Sequence, residues 1–128
     1  MHARTCLMAG AVMAALSVIL GAFGAHVVED TLSKSRFETY QTAVVYQTWH
    51  ALGLMILGLV GDRISSLLLH WAGYCLLVGT IIFSGSLYLL VATDTSWFGA
   101  ITLIGGVLMI IGWVLFAGSL RHFRALTD

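Results

Sequence analysis

Residues Ser35–Val60, SRFETYQTAVVYQTWHALGLMILGLV, decide how this chain is read. No charged residue occurs from Thr39 to Gly61, and the chain contains no proline. Ser35 and Glu38 have the spacing of a capping box, which predicts a helix beginning at Ser35. Such a helix is about 39 Å long, enough to cross a bilayer with polar turns to spare. Its first half is polar on one side, and its second half is almost pure hydrocarbon. Thr39, Thr42, Tyr46, His50 and Gly53 fall on one face at helical spacing. An imidazole in that stripe, at membrane depth, needs a partner.

Composition extends this reading to the whole chain. Only 9% of the 128 residues are charged, where soluble domains carry about 25%. Six basic and six acidic side chains leave no net charge, and no basic patch suggests nucleic acid. Thr5–Val28, Thr39–Gly61, Ile64–Thr93 and Thr95–Leu120 are free of charge. Each exceeds the roughly 20 residues that a transmembrane helix needs. They predict an all-α membrane protein, a bundle of four transmembrane helices at about 5–25, 35–60, 65–91 and 96–119, forming one domain over 1–128. The apolar run Leu7–Ala25 is longer than the about 7–15 residues of a signal-peptide core, so it reads as a retained helix. Cys6 and Cys75 read as packed thiols, and no metal is expected. Arg4, Arg63, Arg121 and Arg124 share one side of the membrane, against Lys34 and Arg36 on the other. That bias predicts both termini in the cytoplasm.

Small residues mark the expected helix contacts. Gly10, Ala14, Ser17, Gly21 and Gly24 line one face of the first helix, where another backbone can come close. Gly105 and Gly112 do the same on the fourth. Val27–Lys34 reads as the only sizeable loop, and Gly61 as a glycine stop. The short link that follows makes helices two and three antiparallel neighbours. On helix three, Gly73, Leu77, Thr80, Ser84 and Tyr88 share a face. His70, Trp71, Tyr74 and Trp97 suit the membrane interfaces. Arg121, His122 and Arg124 form a basic tail suited to lipid headgroups.

Counting along the helices places His26, Tyr46, Gln47, His50, Ser84, Ser86, Tyr88 and Thr102 in the outer half of the bundle. Unpaired polar groups are costly in hydrocarbon, so these should face inward. The layer is either interhelical glue or the lining of an outward-open pocket. His50 is expected near Tyr46 on its own helix and near Ser84 or Tyr88 on helix three.

Three ordered motifs carry a resemblance: GAFGAH at Gly21–His26, YQTWH at Tyr46–His50 and FSGSLY at Phe83–Tyr88. They resemble the family of small membrane proteins typified by bacterial YgdD, with eukaryotic transmembrane relatives. The family's Thr-Pro-x-Gly-Gly appears here as Thr102–Gly106, TLIGG, with Leu103 in place of the proline that would kink helix four. The resemblance implies a four-helix, multi-pass protein of the bacterial inner membrane, with no assigned activity and no catalytic residue.

Three classes of function fit these residues. The first is a structural or interaction bundle, with membrane lipids, a second copy or another membrane protein as partner. The second is a small transporter or channel component with a polar pocket around His50. No Asp, Glu, Lys or Arg lies within a span to support it. The third is a haem, metal or quinone site using His26 and His50, whose depths differ by about 10 Å. No nucleophile stands at usable spacing from a base, so no enzyme activity and no cofactor are expected.

Overall fold

The computed structural model describes residues 1–122. Four helices account for about four fifths of them: α1 (Ala3–Phe23), α2 (Lys34–Gly61), α3 (Leu67–Thr93) and α4 (Phe98–Ser119). Each is long and apolar enough to cross a membrane. The protein is an all-α, four-helix integral membrane protein. The basic-tail residue Arg124 lies outside the described residues.

The expected loop at Val27–Lys34 is mostly helical. α1 widens into a π-turn at Gly24–Val28 and tightens into a 3₁₀ turn at Glu29–Thr31, leaving only Leu32 and Ser33 extended. A π-turn carries an extra residue around the axis. Tyr40 of α2 packs there: its ring lies directly against Gly24 and its hydroxyl donates to Leu20 O at 2.6 Å. The cap of α2 is also earlier than expected. Ser33, not Ser35, is the N-cap, and its hydroxyl accepts from Arg36 N at 3.4 Å. At the far end Gly61 stays helical, and no described glycine has positive φ. The left-handed stop is instead at Asp94 (φ 54°), which closes α3; Asp tolerates this conformation better than most residues.

α1 pairs with α2 and α3 pairs with α4, and α2 against α3 joins the two hairpins. The joints are made by glycines. A Cβ at Gly10 would stand 2.6 Å from Ala51 O of α2. One at Gly105 would stand 2.5 Å from Phe83 N of α3, and one at Gly112 would stand 2.7 Å from Leu76. Gly21 makes no such approach, because its added Cβ would meet only Val44 Cγ1 at an ordinary 3.6 Å. Ala14 packs at the edge of the core, and buried Ser17 bonds back to Met13 O. The central cluster is Leu54, Leu57, Ala72 and Leu76, with Cys6 and Phe116 brought in from the outer helices.

Candidate functional site: the intramembrane polar layer

The inward face of α2 runs one residue to the side of the expected stripe. Of that stripe His50 and Gly53 are buried, but Thr42 and Tyr46 are exposed, and Tyr40, Ala43 and Gln47 take the buried positions of the outer half. Gln47 therefore takes the centre of the layer. Its Nε2 donates to Met13 O of α1 at 3.0 Å, and its Oε1 accepts from the Tyr88 hydroxyl of α3 at 2.9 Å. One amide thus ties three helices together. Around it, Ser84 donates to Ala43 O at 2.8 Å, and the Tyr40 and Tyr88 rings lie 5.6 Å apart.

His50 is buried, only 6% exposed, but Ser84 and Tyr88 are not its partners. Ser84 meets Ala43 and Leu76 approaches Gly53, which fixes the register of α2 on α3. In that register His50 lies about six residues, or 9 Å, below Ser84. Its partner is Trp113 of α4. Trp113 Nε1 stands 3.2 Å from His50 Nε2, and His50 Nδ1 stands 2.7 Å from Tyr46 O. An indole N–H only donates and a carbonyl only accepts. The imidazole is therefore the Nδ1–H tautomer, donating to Tyr46 O and accepting from Trp113. Both ring nitrogens are engaged, which leaves no lone pair for a metal or haem iron.

Ser86 and Thr102 pair at 2.6 Å across α3 and α4. Tyr46 stays 42% exposed, with its ring against Phe83 and His50. His26 is exposed on the π-turn. Among the described residues no group of three His, Cys, Asp or Glu side chains comes together. At the end of the bundle beyond the layer, Arg36 donates to Val91 O and faces Asp94 at 3.8 Å, tying the start of α2 to the end of α3.

Tyr40 and Trp113 are the members that sequence reasoning missed. A signal for Trp113 was present: an indole N–H well inside a span needs an acceptor, and His50 is the only imidazole deep in any helix.

A family model described as a protein of unknown function (DUF423) matches residues 20–106. That range starts just before the π-turn and ends at the Gly105 joint. A UPF0382 membrane protein of Staphylococcus epidermidis is 46% identical over 112 residues, covering 88% of this chain and 91% of its own. The UPF0382 membrane protein YwdK of Bacillus subtilis is 41% identical over 113 residues, covering 88% and 92%. The UPF0382 inner membrane protein YgdD of Escherichia coli K12 is 35% identical over 125 residues, covering 97% and 95%. No solved structure matches. With the family model matching most of its length and relatives aligned nearly end to end, this chain belongs to the DUF423 family of membrane proteins of unknown function.

Proposed function

We propose that the protein is a non-catalytic intramembrane scaffold, an interaction bundle and not a conduit. One observation supports this most: the side chains of the polar layer bond to one another or to the backbone of neighbouring helices. Gln47, His50, Tyr88, Ser84, Ser86 and Thr102 all have partners within the bundle. A translocation path needs polar groups free to replace the solute's hydration, and the one ionisable side chain deep in a span, His50, is engaged by Trp113 and Tyr46 O. The exterior offers apolar side chains such as Val18, Ile19, Leu103, Ile110 and Val114 to lipid, to a second copy or to another membrane protein.

The inner membrane is the proposed location, by analogy with YgdD, with both termini cytoplasmic as the arginine bias favours. A reporter fused after Asp128 should then read as cytoplasmic and one at Lys34 as periplasmic, and the reverse pair would overturn the orientation. Flux in proteoliposomes tests the scaffold reading. Ion, proton and small neutral-solute leakage should match protein-free vesicles. A flux that His50→Leu abolishes would refute it.

A further inference from the structure

The two ends of the bundle treat their arginines differently. At one end, Arg36 is engaged by Val91 O and Asp94. At the other, Arg4 and Arg63 are exposed and pair with no acid among the described residues. Both line the same groove, of about 440 Å³, on the outer seam between the start of α1 and the end of α2. Its walls are Ala3, Leu7, Gly58 and Leu59, and Asp62 stands on the rim. Two arginines against one aspartate leave the rim with a net positive charge. Leu7 lies one turn deeper than Arg4, and Leu59 one turn deeper than Arg63. Leu59 is 64% exposed on a helix that crosses the bilayer. The groove is thus cationic at the headgroup level and apolar immediately below it.

We propose that this groove binds one anionic phospholipid. The phosphodiester sits between the Arg4 and Arg63 guanidiniums, which are suited to bidentate phosphate contacts. One acyl chain lies along Leu7 and Leu59. Charge complementarity selects an anionic lipid over a zwitterionic one, because the rim's excess positive charge is neutralised only by a net negative headgroup. The site does not depend on which leaflet it faces, nor on whether the polar layer is closed.

The matching seam between α3 and α4, lined by Leu68, Val114, Leu115, Ala117, Gly118 and Arg121, is a built-in comparison, because only one described arginine stands there. The experiment is native mass spectrometry of the full chain in detergent, titrated with phosphatidylglycerol or phosphatidylcholine. The first bound lipid should prefer phosphatidylglycerol. Each arginine near the surface contributes about fivefold, so the paired substitution Arg4→Gln/Arg63→Gln should reduce the preference by roughly 25-fold. Arg121→Gln should leave it within about twofold, and Arg4→Lys/Arg63→Lys should retain most of it because the charge remains. Both arginines are exposed, so far-UV circular dichroism should be unchanged in each variant. A wild-type chain that does not discriminate the two lipids would overturn the proposal. So would a double glutamine variant that still prefers phosphatidylglycerol, or an Arg121→Gln variant that loses the preference.

Discussion

Replacing Gln47 with leucine removes the one side chain that ties α1, α2 and α3 together. Gln47 is buried, 5% exposed, so leucine fills the site without adding a polar atom. Two interhelical hydrogen bonds disappear, to Met13 O at 3.0 Å and from Tyr88 at 2.9 Å. Bonds of this kind average about 0.6 kcal/mol in a bilayer and reach about 1.7. The expected loss is therefore about 1.2 kcal/mol, an eightfold or so fall in the folded-to-unfolded ratio. Met13 O keeps the Ser17 hydroxyl as a donor at 2.9 Å, so no acceptor is stranded on α1. Tyr88→Phe removes only the second bond and should cost about half as much, about 0.6 kcal/mol. Once Gln47→Leu is in place, Tyr88→Phe should cost nothing further, because its acceptor is already gone. Reversible unfolding in mixed micelles, followed by far-UV circular dichroism, measures all three variants. Full additivity of the two substitutions, or a Gln47→Leu chain as stable as the wild type, would refute the role given to this amide.

Two further predictions follow from the joints and from the imidazole. Gly105→Leu should prevent folding or lower thermal stability sharply in detergent, because its Cβ alone would overlap the α3 backbone. Gly21→Ala should be nearly neutral at its 3.6 Å contact, and equal melting temperatures for the two variants would contradict the packing. His50→Gln should be close to silent and His50→Leu should cost about 0.6 kcal/mol, the average for the single Trp113 bond. A loss of several kcal/mol on His50→Leu, measured by the same unfolding assay, would contradict that bond's modest role.

The charge-free runs revealed the four spans because hydrocarbon tolerates little else over that length. The glycine pairs at Gly105 and Gly112 were legible for a similar reason, since only small residues allow helices so near. The π-turn at Gly24–Val28 was not legible. GAHVV has no proline, and the ring packed against Gly24 comes from Tyr40, sixteen positions further along. The cap at Ser33 was passed over because Ser35 and Glu38 offered a better local pattern, while α2 starts two residues, about half a turn, earlier. The partner of His50 depended on the register between α2 and α3, which interhelical packing fixes and residue counting does not. An error of about two turns sent the expectation to Ser84 and Tyr88, whereas Gln47, three residues further out, reaches Tyr88.

The central claim is that the polar layer closes on itself, and His50 is where it is most exposed to contradiction. Nitrogen-15 NMR of the chain in lipid bilayers, with labelled histidine and tryptophan, reads the tautomer and the hydrogen bond together. The account predicts a neutral His50 protonated at Nδ1, with a coupling across the hydrogen bond between Trp113 Nε1 and His50 Nε2. A His50 protonated at Nε2 without that coupling, or one whose signals move when zinc is added, would contradict it.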